Sequence, residues 1–159
     1  MPGFDAATFR TVLGHFCSGI TVVTAFHDGE PVGLTCQSFS SVSLDPPLVL
    51  FVPARASLSW PHIKSAGHFC ANVLDQDQEE LSRRFAIKGA DKFAGVGYRA
   101  GPSGAPVLEG CLATIDCEIE AVHEAGDHDI VIGRVLDLAV GGGGSPLLYF
   151  RGGYGRFTV

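Results

Sequence analysis

The sequence predicts a mainly β fold, a closed or split β-barrel carrying two or three short helices, on three observations. Runs of β-branched and apolar residues recur, as in GITVVTAF, LVLFV and IVIGRVLDLAV, each bounded by turn formers. The 21 glycines and 9 prolines supply many turns. The strands do not alternate regularly with helices, which disfavours a doubly wound parallel sheet.

Phe9, Val12, Leu13 and Phe16 recur at helical spacing, predicting an amphipathic helix from Asp5 to Cys17 with Asp5 as its N-cap. Gly19 to Phe26 is the first strand. The His27-Asp28-Gly29-Glu30 turn leads into the second, from Pro31 onward. Leu48 to Val52 lacks alternation, which predicts burial on both faces. Ser57 to Ala66 reads as a short helix with Pro61 in its first turn. Phe69 to Leu74 is a strand, and Asp77 to Ala86 a helix with a capping-box-like Asp77/Glu80 start. A glycine-rich loop, Gly89 to Gly110, precedes a long strand, Leu112 to Val122. The Gly126-Asp127-His128 turn then pairs it with Ile130 to Val140 as a hairpin. After the Gly141 to Gly144 spacer comes a last strand, Leu147 to Phe150.

At 159 residues the chain is expected to be one domain, 1–159. Hydrophobic residues make up 46% against 18% charged, enough for a packed core. The net charge of −6 argues against nucleic acid or an anionic membrane as partner. An anionic ligand must therefore be held locally. The five cysteines are odd in number, with no Cys-x-x-Cys pair, so free thiols in a reducing cytoplasm are expected rather than a zinc or redox site. The six histidines show no metal-ligand spacing. The N-terminus lacks a signal pattern, and no apolar run approaches the ~20 residues of a membrane helix.

The stretch from Gly33 to Phe51 is the most informative. Thr35, Ser38, Ser40, Ser41 and Ser43 precede an Asp-Pro-Pro corner at 45–47. Hydroxyls and backbone N–H groups at one end of a strand can hold a phosphate without basic side chains. A solvent-facing edge strand is the plainer reading, but serine is a poor strand former. Asn72, polar within FCANVL, needs partners that a heteroaromatic ring edge would supply. His128 is either a solvated turn histidine or a ligand contact. Tyr154 is either core or a ring-stacking lid. Arg55, Arg83, Arg84, Lys88 and Lys92 fit a phosphate site or surface ion pairs equally well. No Gly-x-Gly-x-x-Gly after a strand, Walker loop or Gly-x-Ser-x-Gly elbow occurs.

Taken together, FRTVLGHFCSGITVVTA, GLTCQSFSSVSLDPPLVLF, SAGHFCANVL, RRFA with DKF, GAPVLEGCLATIDCEIE, AGDHDIVIGRV and PLLYFRGGY resemble the short-chain flavin reductases. These are the reductase components of two-component flavin-dependent monooxygenases, built on the FMN-binding split barrel. The resemblance implies an NAD(P)H:flavin oxidoreductase that moves a hydride from NADH (or NADPH) to FMN (or FAD) and supplies a partner monooxygenase. It implies a homodimer, with Thr35, Cys36, Gln37, Ser38 and Ser41 against the flavin. Ser57, following Arg55, would help hold the phosphate, Asn72 would sit near the flavin, and Arg84 and Phe85 would border the flavin tail. His128 would contact the nicotinamide. A flavoprotein with tightly bound FMN acting on another substrate, or a non-catalytic flavin-binding barrel, are the alternatives.

Overall fold

The computed structural model describes residues 3–89 and 91–158. Among these, the chain forms, in order, α1 (Ala6–Leu13), β1 (Ser18–Gly19), β2 (Thr21–His27), β3 (Glu30–Cys36), β4 (Phe39–Ser43), β5 (Leu48–Phe51), α2 (Trp60–Ala66), β6 (His68–Val73), α3 (Glu79–Phe85), β7 (Tyr98–Ala100), β8 (Pro106–Leu108), β9 (Ala113–Ala125), β10 (His128–Val140), β11 (Leu147–Phe150) and β12 (Gly153–Arg156). The fold is mainly β, with three helices and antiparallel pairings, as the sequence predicts.

The main sheet runs β3-β2-β6-β9-β10-β5-β4. Its two edge strands, β3 and β4, follow one another in the chain with only Gln37 and Ser38 between them. The ends of the two edge strands are therefore brought side by side at that corner, with no β3–β4 pairing among the described residues. Ser38 fastens the corner: its hydroxyl donates to the Val52 carbonyl and accepts from the Val52 N–H, both at 3.0 Å. One sheet face packs Val23, Phe51, Phe69, Cys117 and Val131 against Trp60 and Ile63 of α2. The other carries Ile20, Val22 and Leu74 against Phe85 of α3, Leu108 of β8 and Leu147 of β11. β2 is consequently buried on both faces from Thr21 through Ala25. No described helix is long and apolar enough to cross a membrane.

Several elements differ from the sequence expectation. Residues 35–41 are not one strand but the end of β3 and the start of β4, turned at Gln37-Ser38. Leu48 to Val52 alternates after all, with Val49 and Phe51 buried and Leu48 and Leu50 half-buried. The third helix starts at Glu79 with Gln78 as an uncapped N-cap, so the Asp77/Glu80 capping box does not form. The 89–110 segment contains the small β7–β8 hairpin, and β1 and β12 flank β11 in a separate sheet. Asp5 does cap α1, accepting from the Thr8 N–H at 2.8 Å, but the helix ends at Leu13 and buries none of its residues. Cys36, Cys70, Cys111 and Cys117 are buried free thiols, whereas Cys17 is exposed. Burial pushes the Cys70 and Cys117 thiols up to about 12.

Candidate active site

The β3/β4 corner opens onto a cleft of about 390 Å³, within the ~300–1,000 Å³ range of small-molecule sites. Each wall has a local cause. Thr35 and Cys36 reach the cleft at the end of β3, and Gln37 from the turn that follows it. Phe85 closes one side by lying on the bare backbone of Gly33, where an added Cβ would stand 2.8 Å from Phe85 Cε1. Val52, Pro53 and Ala54 continue past β5 and form the opposite wall. His128 enters at the start of β10. It is held there by a two-residue Gly126-Asp127 loop in which Gly126 carries the positive φ (+68°) that a II′-type hairpin asks of its first position.

The polar groups are pre-arranged. Thr35 Oγ1 donates to the Ser82 carbonyl at 2.6 Å. The Cys36 thiol lies 3.0 Å from Ser38 Oγ, and burial raises its pKa, keeping it a neutral thiol. Ser57 Oγ accepts from the Ser59 and Trp60 N–H groups, each at 3.2 Å, which leaves its own proton free to donate into the cleft it lines. Lys92 Nζ donates to the Gly33 carbonyl at 3.0 Å and Ser59 Oγ at 3.2 Å, and its partial burial lowers its pKa. His128 Nδ1 lies 2.7 Å from Asp127 Oδ1, leaving Nε2 for a ligand.

The charge distribution decides what the cleft can hold. Among the described residues its lining includes Lys88, Lys92 and His128 and no carboxylate. Neither lysine forms an ion pair among the described residues, while Arg55, Arg83, Arg84, Arg134 and Arg156 all do. In a chain of net charge −6, apolar walls and two lysines with no ion pair among the described residues suit a flat ligand bearing phosphate.

Of the sequence-expected residues, Thr35, Cys36, Gln37, Ser38, Ser57, Phe85 and His128 come together in this cleft. Five do not line it. Ser41 is exposed on β4. Arg55 points its guanidinium at Glu124 (3.4 Å) and Asp129 (3.7 Å). Arg84 pairs with Glu80 and donates to the Ala94 carbonyl. Tyr154 bonds Ser82 Oγ at 2.8 Å beneath the Arg83 guanidinium, supporting the Thr35–Ser82 contact from behind. Asn72 is a core amide: its NH₂ donates to the Val22 carbonyl and Thr24 Oγ1, and its Oδ1 accepts from the Leu108 N–H. Every demand a ring edge would have met is met by the protein. The two lysines take the place of the arginines as the cleft's cations. Sequence alone offered no periodicity by which to choose among five basic residues.

Comparison with known proteins identifies the family. The pattern of the family described as "Flavin reductase like domain" matches residues 13–158. The chain is 51% identical over 152 residues to the flavin-dependent monooxygenase reductase subunit HsaB of Mycobacterium tuberculosis, covering 94% of this chain and 81% of that protein. It is 44% identical to the FMN reductase (NADH) SmoA of Agrobacterium fabrum, over 98% of this chain and 88% of that one. The structure of the NADH:FAD oxidoreductase SgcE6 of Streptomyces globisporus, in complex with NAD and FAD fragments, superposes with a TM-score of 0.91. It shares 36% identity and covers 97% of this chain and 93% of that one. With the family pattern running from the end of α1 past β12, and relatives matched over most of their length, the chain belongs to the flavin reductase like domain family.

Proposed function

We propose that this chain is an NADH:flavin oxidoreductase that reduces FMN or FAD and delivers the reduced flavin to a partner monooxygenase. The observation that carries the reading is the cleft itself: apolar walls, donor hydroxyls, two unpaired lysines and one histidine in an acidic protein. Those residues fit a flavin. Leu34, Val52 and Phe85 offer surface to its ring. Ser57, Lys88 and Lys92 offer donors to its phosphate. When bound, the flavin accepts a hydride from nicotinamide, chemistry that needs no protein acid or base. The protein's part is to hold two rings face to face and exclude other geometries. The neutral Cys36 thiol and the absence of a carboxylate among the described lining residues suit a site in which negative charge builds on the ligand. The four buried free thiols support a reducing, cytoplasmic setting.

The test is NADH oxidation in air with and without added FMN, FAD or riboflavin. Turnover strictly dependent on added flavin supports the reading. Turnover without added flavin points to a tightly held prosthetic group, and bound flavin with no NADH consumption points to a binding barrel.

In this reading His128, which lines the cleft, contacts the nicotinamide. His128→Ala should lower turnover on the order of tenfold to a hundredfold through ring misplacement. The KM for NADH should rise while that for flavin stays within about twofold. Loss of flavin affinity with an unchanged NADH constant would put His128 in the flavin subsite instead.

The working unit is read as a homodimer. Phe9, Val12 and Leu13 of α1 are 53%, 62% and 54% exposed, and Phe16 is 79% exposed, an apolar stripe that one chain leaves uncovered. Sedimentation at micromolar concentration should give a dimer, and a clean monomer would remove this part of the reading.

A further inference from the structure

Asp129 is buried, 5% exposed, and stands next to His128 without lining the cleft. Its Oδ2 accepts from Trp60 Nε1 at 2.9 Å. Its Oδ1 has no hydrogen bond and faces Arg55 Nε at 3.7 Å, an ion pair beyond hydrogen-bond length. Burying a carboxylate with one hydrogen bond and one loose ion pair is a poor source of stability, since desolvation offsets most of the gain. The carboxylate's one hydrogen bond is to the buried indole N–H of Trp60.

The surrounding backbone suggests a different role. The His128 turn is tied to the cleft wall by two hydrogen bonds, Arg55 N to the Asp127 carbonyl at 2.9 Å and Asp129 N to the Pro53 carbonyl at 3.0 Å. With the β9–β10 ladder, in which His128 faces Ala125 and Asp129 faces Glu124, these bonds fix the backbone of the turn. Asp129 adds a side-chain tie. Its carboxylate crosses to α2, whose Trp60 is itself 3% exposed and locked edge-to-face on Phe51. Ser57 Oγ, on the cleft side, bonds the backbone N–H of the same Trp60. One indole thus connects the mounting of His128 to the segment that carries Ser57.

We propose that Asp129, acting through Trp60, is a positioning residue that fixes the angle of His128 toward the nicotinamide. The inference rests on the flavin reductase reading above. The test compares Trp60→Phe, Asp129→Ala, Asp129→Asn and the Trp60→Phe/Asp129→Ala double variant. KM for NADH, KM for FMN and Tm are measured for each. Trp60→Phe keeps an aromatic ring and removes the N–H donor. It should raise KM for NADH about tenfold, with KM for FMN within about twofold. Asp129→Ala should do the same, and the double variant should be no worse than the worse single, because both break one link. Asp129→Asn, whose amide oxygen can still accept from the indole, should stay within about threefold of the parent.

Trp60 is the chain's one tryptophan, so its indole N–H resonance is unambiguous. It should shift when NAD⁺ is added to the flavin-loaded protein and stay fixed in His128→Ala. An unchanged NADH constant in Trp60→Phe, additive effects in the double variant, or equal losses for NADH and FMN would each overturn the inference. Trp60→Phe decides the matter even where Asp129→Ala fails to fold. A parent protein that oxidises no NADH with any flavin overturns the underlying reading as well. An active parent with a flat NADH constant in Trp60→Phe overturns only the role of Asp129.

Discussion

Lys92→Met should raise the KM for FMN on the order of tenfold to a hundredfold and leave that for riboflavin nearly unchanged. Methionine keeps most of the lysine stem, so the apolar contacts survive while the ammonium is lost. A charge-assisted hydrogen bond to phosphate contributes ~1.5–3 kcal/mol, and each 1.4 kcal/mol is a factor of about ten. Riboflavin has no phosphate and serves as the internal control. A pH signature accompanies the affinity change. Burial holds the Lys92 pKa below its ordinary 10.5, so the positive charge is lost earlier than on an exposed lysine as pH rises. KM for FMN should therefore climb on the alkaline side before pH 10.5, and the climb should be absent for riboflavin and in Lys92→Met. Equal losses for FMN and riboflavin would mean that the Gly33 and Ser59 bonds of Lys92 matter only for shape.

Asn72→Leu should be the most destabilising single change considered, at about 3–5 kcal/mol. Leucine is close in volume, so packing is roughly preserved. The Leu108 N–H would lose its acceptor, and the Val22 carbonyl and Thr24 hydroxyl would lose a donor, all in a region with no solvent access. For a chain of this size the Tm should fall by roughly 10 °C. Below that Tm, KM for flavin should change less than about twofold. A raised flavin constant with an unaltered Tm would restore Asn72 to the flavin site.

The two cases illustrate what was legible in the sequence. Strand runs, the Asp28-Gly29 and Gly126-Asp127 turns and the Asp5 cap are local features, set by φ preference and side-chain capping within a few residues, and all of them form. The hydroxyl run from Thr35 and the turn histidine His128 are local features visible in the sequence, whereas Ser57 and Phe85 enter only through the family resemblance; all of them line one cleft. What was hidden depends on distant partners. The break of residues 35–41 into opposite sheet edges follows from the seven-stranded order, which no local pattern encodes. The partners that Asn72 requires, Val22, Thr24 and Leu108, lie on other strands. Arg55 and Arg84 differ from Lys88 and Lys92 through their partners: Glu124, Asp129 and Glu80 lie within ion-pair distance of the arginines, and no carboxylate among the described residues does so for the lysines.

In the proposed reaction the hydride passes between two ligands stacked in the β3/β4 cleft. Its most direct measurement is rapid anaerobic mixing of the FMN-loaded protein with NADH, followed by the visible absorbance of oxidised flavin, with NADH and with NADH deuterated at nicotinamide C4. The account predicts full loss of the absorbance at one equivalent of NADH, slowed by a primary isotope effect and slowed again in His128→Ala. Flavin that stays oxidised while bound, with NADH in excess, would contradict it.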